Sequence, residues 1–214
     1  MKSDADIAAP KRAYRQGARA EAAEATAARI LEVFRRRLSE DWYDLITLDQ
    51  VAREAGVTVP TIIRRFGNKE GLLEETQKRM DAEILGRRSV APGDLDALIR
   101  VLIEDYEAVG DLVIRTLSQE ERYPVFRIVT DVGRAGHRLW IEQGFSPWLD
   151  GLAADARQAR LDALVVATDL YVWKLVRRDM GRSPDHLREL MLTLIRGIIG
   201  QGPTPASQSG GDAK

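Results

Sequence analysis

Arg64, Arg65 and Lys69 close a stretch, 55–69, that contains no carboxylate and that also offers the hydroxyls of Thr58 and Thr61. Guanidinium, ammonium and hydroxyl groups held together without acids suit the phosphates and base edges of nucleic acid, whose backbone charge dominates affinity. The spacing suits no bond-making chemistry. The histidines are His137 and His186, and the residues three before them are Arg134 and Ser183, so neither makes the Glu-x-x-His pair of a di-iron helix. With no cysteine, a zinc site has no thiolate to use. A glycine-rich phosphate loop, a nucleophile elbow and a paired-acid motif are equally missing from the sequence. No enzymatic activity, metal or cofactor is expected.

The elements around this basic stretch can be read from their punctuation. Thr47 is a good helix N-cap, and Gln50 three residues later can complete a capping box. Leu48, Val51, Ala52 and Ala55 then recur at helical spacing as one apolar face, with Asp49, Arg53 and Glu54 outside. Gly56 predicts a left-handed stop, after which Val57 drops toward the core. Pro60 suits a first helical turn, so a second helix is expected to start at Thr58 to Pro60. Ile62 and Phe66, four apart, face inward. Counting 100° per residue places Pro60 and Arg64 on the opposite side, with Thr61, Ile63 and Arg65 on the flanks.

A helix, a tight turn and a short basic helix in this order resemble the N-terminal domain of TetR-family transcriptional regulators. The residues that match the family pattern are Thr47, Val51, Ala52, Ala55, Gly56, Val57, Thr58, Thr61, Phe66, Lys69 and Leu72. Two positions depart from it: Ile63 stands where the family usually places a phosphate-contacting tyrosine, and Trp42 where a glycine commonly precedes the aromatic matched by Tyr43. Ile63 therefore suggests an apolar contact, such as one to a thymine methyl. The resemblance implies a double-stranded DNA partner with an inverted-repeat operator. The expected contact residues are Thr47, Thr58, Val59, Pro60, Thr61, Ile63, Arg64, Arg65 and Lys69.

Composition is compatible with that reading without pointing to it. The 214 residues are 44% hydrophobic, enough for a substantial core, and contain no apolar run that could cross a bilayer. A net charge of −1 hides clustering, since acids along outer helix faces offset the bases at 35–37 and 64–69. The absence of cysteine and of a recognisable secretory signal predicts a cytoplasmic protein with no membrane partner.

An all-α chain of two domains follows. Residues 1–17 mix charge, alanine and Pro10 without period and are expected to be a disordered arm, whose Lys11, Arg12 and Arg15 either reach DNA or simply solvate it. Residues 18–86 form the helix-turn-helix DNA-binding domain. Its first helix carries Ile30, Leu31, Phe34 and Leu38, with Arg35 to Arg37 complementing the dipole at its end. A fourth helix, capped by Asn68, runs from Lys69 to about Leu85. Residues 87–200 form a helical ligand-binding and dimerisation domain, with breaks expected at Gly110, Tyr123-Pro124, Gly144 to Pro147 and Gly181 to Pro184. Residues 201–214, rich in Gly, Pro and Ser, are expected to be a disordered tail.

Two long apolar helices are predicted at about 155–180 and 184–199. Their stripes include Leu161, Leu164 and Thr168, then Leu187, Leu190, Leu194 and Ile198. The resemblance implies that these helices pair with those of a second copy, setting two reading helices about 34 Å apart on successive major grooves. The same stripes could instead close an intramolecular core. Tyr106, Trp140, Phe145 and Trp173, with Asp131, Arg134 and His137, are the candidate walls of a pocket for a small apolar or amphipathic effector. The expectation is a homodimeric repressor relieved by that ligand; the alternative is a helical ligand-binding or protein-interaction module whose helix-turn-helix does not function.

Overall fold

The computed structural model describes the backbone of residues 9–200 and the side chains of 17–200, and all regular elements among the described residues are helical. Two compact units divide after Ala82. Of the expected arm, 9–17 belongs to α1 (Ala9–Glu40), while 1–8 and the tail 201–214 lie outside the described residues.

In the first unit α1 lays Ile30, Leu31, Phe34 and Leu38 against Val51, Ala52 and Ala55 of α2 (Leu48–Ala55), and all seven are buried. Ile62 of α3 (Val59–Phe66) and Leu72 of α4 (Lys69–Arg87) are fully buried. Burial on this scale stabilises by about 1.5–3 kcal/mol for each large side chain. A single 3₁₀ turn, Tyr43–Leu45, connects α1 to α2 and buries the Tyr43 ring. Arg29 of α1 donates from Nε to the Ala55 carbonyl at 2.9 Å, closing one of the open carbonyls at the end of α2.

The second unit is built around α5 (Leu95–Leu117), flanked by α6 (Pro124–Gly144), the single turn α7 (Ser146–Leu149), α8 (Ala154–Ala167), α9 (Leu170–Lys174) and α10 (Pro184–Gly200). Leu98, Ile99 and Leu102 of α5 share one core with Leu161 and Leu164 of α8, Trp173 of α9 and Leu187, Met191 and Ile195 of α10.

Three expectations need correction here. Gly110 does not break the chain: α5 passes through it, and the glycine makes room for the Trp173 ring, since an added Cβ would sit 2.5 Å from Trp173 Cη2. The long helix expected over 155–180 is interrupted after Ala167. There Asp169 starts a new helix by accepting from the Tyr171 amide at 2.8 Å, and the chain then widens into a π turn at Leu175–Asp179. Finally, Leu161, Leu164, Thr168 and Leu187 point into this unit's own core rather than outward, so they are not the surface a second copy would meet. Of that predicted set only Leu194 is exposed, with Leu190 and Ile198 half-buried.

Candidate nucleic-acid interface

The reading pair is set by local hydrogen bonds. Thr47 Oγ1 accepts from the Gln50 amide at 3.2 Å while Gln50 Oε1 accepts from the Thr47 amide at 2.9 Å, so both halves of the capping box form. Gly56 ends α2 at φ +65°, where a side chain would be strained, and the Val57 amide reaches back to the Ala52 carbonyl at 2.9 Å. Thr58 is extended, its hydroxyl 3.0 Å from that of Thr61, and Pro60 occupies the first turn of α3. The Asn68 carboxamide caps α4, accepting from the Gly71 amide at 2.8 Å.

Ile62 anchors α3 beneath this surface. Phe66 is only half-buried; Pro60, Ile63 and Arg64 are exposed, and Val59 and Thr61 are partly so. Arg64 has no ion-pair or hydrogen-bond partner among the described residues, which leaves its guanidinium available to a ligand. Thr47 and Thr58 are likewise exposed, at the starts of α2 and α3, where the first amide of each helix lacks an intrahelical acceptor. Ile63, at 48% exposure, is an apolar side chain on an otherwise polar surface.

Two predicted contact residues are less free than their sequence positions suggested. Arg65 is turned back onto α1, where Nη2 lies 2.7 Å from Glu24 Oε2, and Glu24 also holds Arg79 at 3.1 Å. Lys69 donates to the Tyr43 carbonyl, and its Nζ stands 4.1 Å above the Tyr43 ring. Burial lowers its pKa, with Asp44 and Glu70 opposing. Both cations are committed inside the unit, so Arg64 is its least encumbered base on α3. Arg36 and Arg37 are taken by Glu54 of α2, with Arg37 Nη1 also 3.0 Å from Asp41, and Arg37 holds the Glu54 carboxyl below its usual range.

The predicted pocket residues of the second unit separate into groups. Asp131 and Arg134 lie on the outer side of α6, where Arg134 bridges Asp131 at 2.8 Å and Glu120 at 2.7 Å. Phe145 is fully buried and packs on Trp148, their ring centroids 5.6 Å apart. Trp173 is buried with Nε1 donating to Glu107 at 2.8 Å. Tyr106, His137 and Trp140 do come together, around Arg88 and Asp105, which the sequence reading missed, and Thr168, which it assigned to the dimer stripe. Asp105 is fully buried and receives Arg87 Nε at 2.5 Å and Arg88 Nε at 2.6 Å. The Arg88 guanidinium stands 4.9 Å from the Trp140 ring, whose Nε1 donates to the Arg88 carbonyl at 3.0 Å. Tyr106 donates to the Thr168 carbonyl at 2.9 Å, and His137 Nε2 is 3.2 Å from Thr168 Oγ1. Only a charged residue at a helical core position of α5 could have flagged this cluster, since Asp105 falls in phase with the buried stripe of Leu98, Leu102 and Val109.

Residues 30–76, which span α2 and α3, match the family model of bacterial regulatory proteins of the tetR family. No curated relative matches the chain. Among solved structures the fold is similar to a transcriptional regulator from Rhodococcus sp. Rha1, at 15% identity and a TM-score of 0.63 over 81% of this chain and 96% of that one. A tetR-family transcriptional regulator from Streptomyces coelicolor gives 15% identity and a TM-score of 0.61 over 84% and 90% of the two chains. A second TetR-family regulator from the same organism gives 19% and 0.53 over 82% and 95%.

Proposed function

We propose that this chain, a TetR-family transcriptional regulator by its helix-turn-helix domain, acts as a homodimeric repressor that a small apolar or amphipathic ligand releases from an inverted-repeat operator. The observation that carries the DNA half of this reading is the outward face of α3, where Arg64 has no partner among the described residues and Ile63 and part of Thr61 are also left in solvent. Arg64 reads a base edge, Ile63 a thymine methyl, and the first-turn amides of α2 with Thr47 hold a phosphate. Arg65 and Lys69 contribute charge at this surface and reach phosphates only by leaving Glu24 or the Tyr43 carbonyl.

A second copy supplies the second half-site. Support comes from apolar side chains left in solvent on α8 and α10, Val166 at 67% exposure and Leu194 at 43%, beside half-buried Leu190 and Ile198. Ligand response rests on the polar cluster around Arg88, which follows directly on α4, a helix continuous from Lys69 after the reading pair to Arg87. A ligand acts only through its preference for one arrangement of that helix, typically worth about 1–3 kcal/mol.

Selection of bound sequences from a randomised duplex pool tests the reading. The expected product is an inverted repeat with half-sites about one helical turn, or 34 Å, apart. A single unrepeated site overturns the dimer. Failure to bind any duplex even at low salt overturns the DNA reading and leaves the helical ligand-binding or protein-interaction module.

A further inference from the structure

His137 is held in one tautomer by its neighbour. Thr168 Oγ1 gives its single proton to the Leu164 carbonyl at 2.7 Å, so toward His137 Nε2, 3.2 Å away, it can only accept. The ring proton therefore sits on Nε2, and Nδ1 presents a bare lone pair. That atom is buried and has no hydrogen-bond donor among the described residues. Buried acceptors of this kind are uncommon in folded proteins. The ring does not escape by taking up a second proton at neutral pH, because burial and the nearby Arg88 charge push its pKa down to about 4, against a smaller opposing effect of the Val165 carbonyl.

Three donors of the cluster are already committed. Arg88 Nε is on Asp105, Trp140 Nε1 on the Arg88 carbonyl, and the Tyr106 hydroxyl on the Thr168 carbonyl. His137 and Trp140, three apart on α6, share a helix face. We infer that His137 Nδ1 is the polar anchor of the effector site, accepting a hydrogen bond from the hydroxyl or N–H of a small neutral molecule whose apolar body lies beside Trp140. This deepens the ligand-responsive reading above and rests on it. Two charged classes fit poorly: a carboxylate has no proton to give the Nδ1 lone pair, and an ammonium would meet the same Arg88 charge that opposes a cationic ring.

The test uses the full chain with ¹⁵N-labelled histidine, titrated with phenol and separately with anisole, which has the same ring but no proton to donate. Phenol is expected to move the His137 Nδ1 resonance saturably away from its bare-lone-pair position, leaving His186 in place, while anisole does not. His137→Phe is expected to weaken phenol binding about tenfold by calorimetry, the size of one hydrogen bond. Should that variant not fold, the wild-type resonance decides alone. Phenol that does not bind, that binds without moving Nδ1, or that acts no differently from anisole overturns the proposal. So does an Nδ1 already hydrogen-bonded in the free protein, which would make a bound water its donor. The resonance is read without DNA, so a shift in a protein that binds no duplex retires the repressor reading and not the anchor, and operator binding with no shift does the reverse.

Discussion

Arg64 and Arg88 carry the same group to opposite uses. Arg64 stands exposed on a short helix with no partner among the described residues, whereas Arg88, its side chain 11% exposed, lies on a fully buried aspartate and against an indole face. The first is placed by bonds between residues three to five apart: the Thr47–Gln50 box, the Gly56 turn and the Pro60 start. The second is placed by partners 17 and 52 positions away in the sequence, Asp105 and Trp140. Arg64, placed by local signals, keeps its charge free for something outside the protein, while Arg88, held by distant contacts, uses its charge to hold the unit together.

The contrast breaks most visibly at Asp105. Asp105→Ala leaves Arg88 without its buried counter-charge and is expected to cost about 3–5 kcal/mol of stability by denaturant unfolding. The same measurement on Arg64→Ala is expected to move by less than about 0.5 kcal/mol. Equal costs would erase the distinction between the two regions.

Gly110→Ala probes the second unit's dependence on distant packing. The new methyl would press on the Trp173 ring at 2.5–2.9 Å, which is expected to cost about 1–3 kcal/mol although alanine favours helix. A stabilised variant would mean the ring has room to move.

Stability against pH gives an effect of comparable size. The His137 imidazole protonates near pH 6.5 when unfolded and near 4 when folded, so the unfolded state binds more protons between these values. Its contribution is full above pH 6.5 and is lost as pH falls to 4, by about 3 kcal/mol. Glu107 and Glu120, held low by Arg177 and Arg134, add losses below their ordinary range. His137→Gln is expected to flatten the stability profile between pH 6.5 and 4; an unchanged slope contradicts the buried neutral ring.

A smaller loss is local. Thr47→Ala removes the α2 cap and is expected to cost about 1 kcal/mol, with restoration by Thr47→Ser. A loss above about 3 kcal/mol would show that the reading pair depends on more than its own turns.

This division also explains what could be read from the sequence. Thr47, Gly56, Pro60 and Asn68 act on neighbours a few residues away, so the starts and stops of α2, α3 and α4 were legible in their order. The exposure of Pro60, Ile63 and Arg64 followed from helical geometry once Ile62 was taken as inward. Gly110 misled because the reason for it, the Trp173 ring, lies 63 positions downstream on another helix. The stripe of Leu161, Leu164 and Leu187 was recognised as apolar, but period alone does not say whether a helix buries its face against its own unit or another copy. Arg65 and Lys69 look free in sequence because Glu24 and the Tyr43 carbonyl are 41 and 26 residues away.

The most direct test of the central claim, that α3 reads DNA through its outward face with Arg64 at the centre, is a competition binding measurement on the selected operator and a scrambled duplex. Three folded proteins are compared: the natural chain, Arg64→Ala and Arg65→Ala. Loss of about 1–3 kcal/mol on the operator and far less on the scrambled duplex is expected for Arg64→Ala, with a smaller and sequence-independent loss for Arg65→Ala. An Arg64→Ala protein that keeps the natural chain's affinity and preference would contradict the account.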